Sequence, residues 1–437
     1  MRRHARPGGG RQVEVTIEGL GGRGDGVATW QGSPVFVAQT VVGDRLKVKL
    51  TSEKAGGWRG EPVELIEEGP GRQDPVCGHF GPCGACQLQQ LDDGLYAEWK
   101  RGLVLDALAR QQLEAAEVAP LVRVPPCSRR RASLAALRLG RRALLGFHER
   151  MSHRVVDLSE CHVLRPEIFA LLAPLRELLA VLLRDGESGE VMVTLTENGC
   201  DLLLTLPRAP DLAGRQAATA FAEAQDVARL SAQAKGETEP EPLCLRRPPL
   251  LTFRAPGKDV PVTPPPGGFV QPSAEGEAAL RDAVLGALPE ALGRVADLFC
   301  GCGTFSFALL AKASGVLAVE GDEPSLAALW TAARHGGLAG PLDIASRDLA
   351  RQPLRPEELA GFDAVVFDPP RAGAREQAQH LAASAVPRIV AVSCNPVSFA
   401  RDARILVEGG YRLERIVPVD QFPWTAHLEL VAGFRRP

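Results

Sequence analysis

The chain has 437 residues, enough for two or three domains that each bury a core. Its 45% hydrophobic and 24% charged content is that of an ordinary globular protein, and a formal net charge of −3 excludes a uniformly basic nucleic-acid binder. No apolar run approaches the roughly 20 residues that a membrane span needs, and Met1 to Arg11 is polar, glycine-rich and basic rather than a signal peptide. The expected compartment is therefore the cytoplasm, with no membrane partner. There, ten cysteines point to metal or catalysis rather than to a disulfide framework.

In chain order, residues 1–12 read as a basic tail. From 13 to 68 the pattern is strand, turn, strand. Val13, Val15 and Ile17 alternate with polar residues, Gly19 to Gly26 is a glycine-rich turn, and three further strand-like runs follow. About five short strands in that length predict a small OB-like β-barrel. Phe36 and Trp58 are candidates there for stacking on bases, with packing an equal alternative. Residues 69–230 read as a central domain. It opens on Cys77, Cys83 and Cys86, spaced C-x5-C-x2-C among Gly and Pro, with His79 inside the loop but not expected to be a ligand. A helical pattern over Tyr96 to Leu113 leads to a stretch in which arginine recurs nine times, from Arg123 to Arg154, against one acid, Glu149. Such a run is either a solvated face or a phosphate-binding one. Cys161, a helix (Ile168 to Leu183) and a strand pattern (Glu190 to Leu206) complete the domain. Residues 231–268, rich in Pro, Gly and Glu, read as an irregular crossing.

Beyond it, seven strand-like runs start near Val295, Gly315, Asp343, Ala364, Arg388, Tyr411 and Leu428, with helices expected between the first five. This alternation predicts a doubly wound, mostly parallel sheet whose last two strands are antiparallel. Ligands of such sheets bind beyond the carboxyl ends of the strands. Several residues fall there: the glycine loop Gly301 and Gly303, Glu320, Asp348, Asp368 and Cys394. Glycines allow close approach to the backbone, and an acid about 20 residues on can hold ribose hydroxyls. The loop lacks both the third glycine of a dinucleotide fingerprint and the Lys of a P-loop, so a nucleoside without pyrophosphate fits it better. Asp368-Pro369-Pro370-Arg371 has arginine where an amino-group methyltransferase carries an aromatic, which disfavours exocyclic amine methylation.

Residues 269–437 resemble the S-adenosylmethionine-dependent RNA (uracil-5-)-methyltransferase family. The resemblance rests on Phe269-Val270-Gln271-Pro272-Ser273, Asp297 to Phe307, Asp368 to Arg371, Ser393-Cys394-Asn395-Pro396, and Asp420-Gln421-Phe422-Pro423 followed by His427-Leu428-Glu429. Residues 13–66 resemble the TRAM domain of some members. Cys77, Cys83, Cys86 and Cys161 resemble the iron–sulfur site of the 23S ribosomal RNA branch. The implied fold is α/β plus all-β: a doubly wound, Rossmann-like methyltransferase domain at 269–437, an N-terminal OB-like β-barrel and a central α+β domain. The implied activity is methylation of uridine C5, with 23S rRNA favoured over tRNA as partner and a monomer expected. Cys394 matches the nucleophile that adds to uracil C6, and Glu429 the base that removes the C5 proton. Cofactor contacts carry over to Gln271, Phe299, Thr304, Glu320, Asp348 and Asp368. Thr304 and Ser273 depart from the family by offering a hydroxyl where an asparagine amide is common. Four cysteines suit a 4Fe–4S cluster, although zinc takes the same ligands; Cys127, Cys200, Cys244, Cys300 and Cys302 are left as ordinary thiols. Two other readings remain. A radical methylthiotransferase would need C-x3-C-x2-C, which this spacing does not match. A non-catalytic RNA-binding or assembly factor on the same fold is opposed by the pairing of Cys394 with Glu429.

Overall fold

The structure, a computed structural model, describes residues 11–54 and 56–437; the expected basic tail lies, up to residue 10, outside the described residues. The chain divides into two compact units, one of residues 1–103 and 424–426 and the other of 104–423 and 427–437. No helix among the described residues is long and apolar enough to cross a membrane.

In the first unit six strands form one sheet. Their spatial order is Gln12–Thr16, Arg45–Lys54, Gly57–Glu67, Ser33–Val37, Gly26–Trp30 and Gly19–Leu20. The two end members are pieces of one run of chain, separated only by Ile17 and Glu18. The alternation read from the sequence sets the burial: Val15, Ile17, Ala28, Val35, Val37, Leu46, Val48 and Leu50 share one core. Trp58 packs edge-to-face on Trp30, ring centroids 6.0 Å apart, and joins the rim of that core. Packing therefore accounts for Trp58, whereas Phe36 stays 38% exposed. The cysteine loop that follows has no regular element but is knitted by buried glutamines. Gln89 Oε1 accepts from the Cys77 amide at 3.2 Å, and Gln90 Nε2 donates to the Thr40 carbonyl at 3.1 Å.

In the second unit the central sheet has seven strands in the order Val155–Asp157, Arg142–His148, Arg131–Leu139, Ser188–Thr196, Gly199–Leu206, Arg229–Ala234 and Glu241–Leu245. Helices Leu172–Leu182 and Leu212–Ala224 pack on it. The stretch 231–268 is thus more ordered than its composition implies. It finishes one strand of this sheet, supplies the edge strand, and forms a hairpin, Leu251–Ala255 with Lys258–Val262. One buried ion pair and a hydrogen bond from it explain why so polar a segment is held. Arg229 pairs with Asp201 at 2.7 Å, and the same guanidinium donates to the Pro264 carbonyl at 2.8 Å.

The arginine-rich run is divided by burial. Arg130 is buried against Glu277 (2.6 Å), and Arg131 lies over the Phe269 ring while donating to the Gly267 carbonyl. Arg123, Arg141, Arg142 and Arg154 are exposed. Only part of the run is therefore a solvated cationic face.

The last sheet runs Leu342–Ser346, Ala313–Glu320, Leu292–Leu298, Ala364–Phe367, Arg388–Ser393, Glu429–Arg435 and Arg412–Asp420. The first five are parallel, and Glu429–Arg435 is antiparallel to both its neighbours, as the missing last helix implied. Two short segments that the sequence did not flag, Glu117–Val118 and Val122–Arg123, add to the free edge of Arg412–Asp420. Alternate residues of each strand are buried on opposite faces: Leu298, Phe367 and Ala391 on one, Val295, Val366 and Val390 on the other. One expected helix is absent. Between Ser346 and Ala364 the chain crosses in turns. Pro353 and Pro356 remove helix donors there. In place of a helical ladder, buried Gln377 meets the Leu354 amide and carbonyl at 2.8 and 3.1 Å.

Candidate active site

The strand order reverses between Leu292–Leu298 and Ala364–Phe367, and it is beyond the carboxyl ends of the strands at such a switch point that sheets of this kind bind ligands. After Leu298 the chain turns sharply. Phe299 takes φ +62°, Gly301 +54° and Gly303 +97°. A left-handed phenylalanine is uncommon and held only where its surroundings fix it; here its amide donates to the Val319 carbonyl at 2.9 Å. The two glycines serve different ends. A Cβ on Gly303 would meet Phe307 at 2.8 Å and Leu329 at 2.9 Å, so that glycine permits packing. A Cβ on Gly301 would meet nothing within 4 Å, so that glycine leaves a bare backbone toward open space. Glu320, ending the next strand, accepts from the amides of Gly301 (2.9 Å), Gly321 (2.7 Å) and Asp322 (2.9 Å). A carboxylate locked this way beside a bare glycine loop fits the ribose side of a nucleoside cofactor. Asp348 is exposed at the end of the third strand, its backbone 3.3 Å from where a Cβ of Gly321 would stand. Thr304 is half-buried at the start of the following turn.

Cys394 stands in the strand-to-helix turn between Arg388–Ser393 and Pro396–Glu408. Asn395 caps that helix by accepting from the Val397 amide at 3.1 Å, with Pro396 opening the first turn. Asn395 Nδ2 and Ser398 Oγ both donate to the Arg371 carbonyl, at 3.2 and 3.0 Å, which ties this turn to the Asp-Pro-Pro-Arg turn. Sheet register brings in Glu429. Ser393 pairs with Leu430 as the last rung of an antiparallel ladder, so Cys394, the next residue of one strand, and Glu429, the first of the other, lie at the same end of it.

The electrostatics show that these groups act on one another. Burial pushes the Cys394 thiol up to about 11, and the charges of Glu429 and Asp368 push the same way; Arg371 opposes them. Burial also raises Glu429, which repulsion from Asp368 lifts further and a hydrogen bond from Gln421 restrains; burial raises Asp368 as well. The Cys394 thiol and the Glu429 and Asp368 carboxyls are thus near enough to perturb one another. Gln271, buried at 3% exposure, joins them through Gln421, whose Nε2 donates to its Oε1 at 2.7 Å. Its carbonyl is held by Arg130 Nε at 3.0 Å. Ser273 is spent elsewhere: its hydroxyl caps helix Ala274–Gly286 by accepting from the Gly276 amide at 3.1 Å. The departure from asparagine there is therefore a helix cap rather than a weakened ligand contact.

Sequence reasoning missed Asp297. It is fully buried beneath the glycine loop, with Ser306 on one oxygen and no partner for the other. Burial, and then repulsion from Asp368 and Glu320, hold its carboxyl up to about 7. A raised folded-state value means stability that is present below the unfolded value near 3.8 and lost as pH rises through about 7. Thermal melting of the ligand-free protein is expected to fall over that window. Asp297→Asn should flatten the slope by up to on the order of 4 kcal/mol at pH 8. Parallel melting curves for the two proteins from pH 4 to 8 would refute this.

Of the cysteines, Cys83 and Cys86 are buried in the first unit's loop and Cys77 is half-buried there; Cys161 belongs to the second unit and is half-buried. Among the described residues no group of three or more His, Cys, Asp or Glu side chains stands out as able to hold a metal ion. Cys200, Cys300 and Cys302 are buried thiols held well above their ordinary value by burial, as expected for ordinary packed cysteines.

Comparison with known proteins agrees with this geometry. Residues 354–434 match the family model for tRNA (uracil-5-)-methyltransferase. An uncharacterized RNA methyltransferase of Brucella suis is 45% identical over 96% of this chain and 97% of its own length. The 23S rRNA (uracil(1939)-C(5))-methyltransferase of Pectobacterium atrosepticum is 32% identical over 97% of this chain and 94% of its own. In fold the chain is similar to the tRNA (uracil-54, C5)-methyltransferase of Pyrococcus abyssi, solved with S-adenosyl-L-homocysteine. The TM-score is 0.75, at 22% identity, covering 96% of this chain and 99% of that one.

Proposed function

We propose, from the premise that the chain belongs to the S-adenosylmethionine-dependent RNA (uracil-5-)-methyltransferase family, that it methylates C5 of a uridine in 23S rRNA through a covalent adduct on Cys394. The observation that supports the mechanism is the register that ends on Ser393 and Leu430 and so leaves Cys394 and Glu429 at one end of the paired strands. Uracil C5 is a poor nucleophile. Addition of the Cys394 thiolate to C6 moves the C5=C6 electron pair toward O4 and makes C5 electron-rich. S-adenosylmethionine, when bound, supplies the methyl group as an electrophile. Glu429 then takes the proton from C5, the pair returns to C5=C6, and the C6–S bond breaks to free Cys394. Gln271, Phe299, Thr304, Glu320, Asp348 and Asp368 would hold the cofactor, with Gly301 giving its backbone room. The target uridine must leave its stack to meet the thiol.

Ribosomal RNA is preferred because the relative from Pectobacterium, named for 23S rRNA, aligns along nearly the whole chain. The ring-like order of the first unit's sheet, which begins and ends on residues 12–20, supports an OB-like, TRAM-type barrel that would hold RNA. Cys77, Cys83, Cys86 and Cys161 fit a 4Fe–4S cluster in the kind and number of donors, and the buried setting of Cys83 and Cys86 suits it. Protein purified without oxygen is expected to carry about four irons per chain, and Cys83→Ser to lose them; one tightly bound zinc would overturn the cluster. The deciding assay offers labelled S-adenosylmethionine with 23S rRNA or tRNA. Label recovered as 5-methyluridine from 23S rRNA supports the reading, and label in tRNA alone would redirect it.

The exposed Arg123, Arg141, Arg142 and Arg154 would neutralise phosphates. RNA affinity should then fall steeply with salt, and Arg141→Gln with Arg142→Gln should lower the log–log slope by about 1 to 2. A slope unchanged by both substitutions would place the phosphate contacts elsewhere.

A further inference from the structure

Two buried amides meet behind the site. Gln421 is 1% exposed, and its Nε2 donates to Gln271 Oε1 at 2.7 Å. The Gln421 Oε1 accepts nothing and lies against the first turn of helix Ala274–Gly286, 2.5 Å from where a Cβ of Gly276 would stand. That turn is the positive end of a 13-residue helix, a setting that favours a carbonyl oxygen over an amino group. The amino end of Gln421 is therefore the one that meets Gln271. Glycine at 276 leaves room for this, since a Cβ there would also lie 2.7 Å from the Gln421 Cβ.

Gln271 is thus held from two sides. Its backbone carbonyl accepts from Arg130 Nε at 3.0 Å, the Pro272 carbonyl accepts from the Arg130 amide at 2.7 Å, and its side-chain oxygen is taken by Gln421. Its amino group is left. Among the described residues that group makes no hydrogen bond, and it is not sealed off as Gln421 Oε1 is. A residue buried to 3% exposure therefore presents one open polar group, a donor. It does so at the edge of the sheet where ligands bind. Arg388–Ser393 and Arg412–Asp420 are both antiparallel to Glu429–Arg435 and so run the same way. Gln421 follows the carboxyl end of one as Cys394 follows that of the other.

We propose that Gln421 is a positioning residue for the cofactor: by taking the Gln271 oxygen it fixes the Gln271 amino group outward, as the donor that receives the carboxylate of S-adenosylmethionine. The inference rests on the reading of Gln271 as a cofactor contact. Donor chemistry selects the carboxylate, which only accepts hydrogen bonds. Of the residues assigned to the cofactor, Glu320, Asp348 and Asp368 are acids that offer no donor when ionised, and the Phe299 side chain has no polar atom. Thr304 and Gln271 remain, and Gln271 is the one whose donor end a partner fixes. Without Gln421 the amide is free to turn over and present its oxygen to the carboxylate, a repulsive contact.

The test compares two ligands that differ only by that carboxylate: S-adenosylhomocysteine and its decarboxylated analogue, titrated calorimetrically into the full chain. Wild type should bind the first more tightly than the second; wild type that binds neither would sink the reading of this site as a cofactor site, whatever Gln421 does. Gln421→Met keeps the side chain's length without its donor. It should bind S-adenosylhomocysteine about 10-fold more weakly, the scale of one hydrogen bond to a charged group, and the analogue as wild type does. Retained binding of the analogue shows that the variant's site is folded, and effects of the substitution on other groups of the site act on both ligands and cancel in the ratio. Gln271→Leu should give the same selective loss. The double variant should be no weaker than Gln271→Leu alone, because Gln421 acts only through Gln271. The proposal is overturned if Gln421→Met binds S-adenosylhomocysteine as wild type does, if both ligands lose affinity by one factor, or if the two single losses multiply in the double variant.

Discussion

Cys394→Ala is expected to fold, to bind S-adenosylmethionine, and to lose methyl transfer by roughly 10⁴-fold or more, the scale of removing a covalent nucleophile. The thiol is half-buried in a turn whose geometry comes from Asn395, Pro396 and the Arg371 carbonyl, so truncating it leaves the scaffold intact. Its resting chemistry sharpens the expectation. With the thiol held up at about 11 by burial and two acids, only about one molecule in 10⁴ carries a thiolate at pH 7 in the ligand-free protein. Alkylation of Cys394 should therefore be slow at pH 7 and rise about tenfold per unit of pH toward that value. A bound cation near the sulfur would lower the value, and the sulfonium of the cofactor is such a cation. Mass spectrometry of the alkylated peptide, with and without S-adenosylmethionine, measures both. Substantial methyl transfer by Cys394→Ala, or a 5-fluorouridine adduct that persists in it, would refute the assignment of the nucleophile.

The elements of this site were legible in the sequence because strands such as Ala364–Phe367 and Arg388–Ser393 are short apolar runs buried on both faces. Ile389, Val390 and Val392 announce a strand, and the polar turn that stops it announces Cys394. The strand pairing that brings Cys394 and Glu429 to one end of the sheet was not legible in the residues themselves; only the family resemblance put the two together. Register between Arg388–Ser393 and Glu429–Arg435 is a long-range property, and nothing local sets Leu430 opposite Ser393. Composition misled where long-range contacts compensate for it. The segment 231–268 reads as irregular, but Arg229 and Asp201 anchor it and its strands complete a sheet begun elsewhere. A helix was expected between the third and fourth strands, yet prolines and the Gln377 side chain carry the chain across without one. Gln421 stood in a motif read for resemblance. Its packing depends on Gly276, a residue far away in sequence that leaves room for it.

Glu429→Gln should convert the enzyme from a catalyst into a trap. The amide fills the same volume at the start of its strand but cannot take a proton from C5. Addition to C6 and methyl transfer need no base at that position, so the chemistry should run to the methylated adduct and stop there. Release is expected to fall by about 10² to 10⁴-fold, the usual contribution of a positioned base. Ordinary uridine RNA should then give a denaturation-resistant protein–RNA complex carrying labelled methyl, which wild type forms only transiently. The substitution should also change stability with a definite sign. Burial and Asp368 raise Glu429 above its unfolded value, so its favourable contribution is complete at low pH and lost as pH rises through the raised value. Glu429→Gln should therefore melt higher than wild type at pH 8 and close to it at pH 5. The two measurements are independent, because melting reports the buried carboxyl and trapping reports the proton. A variant more stable at high pH that still releases methylated RNA at the wild-type rate would leave Glu429 buried as described and assign the base to another group, with Asp368, the other raised carboxyl facing Cys394, the first to test.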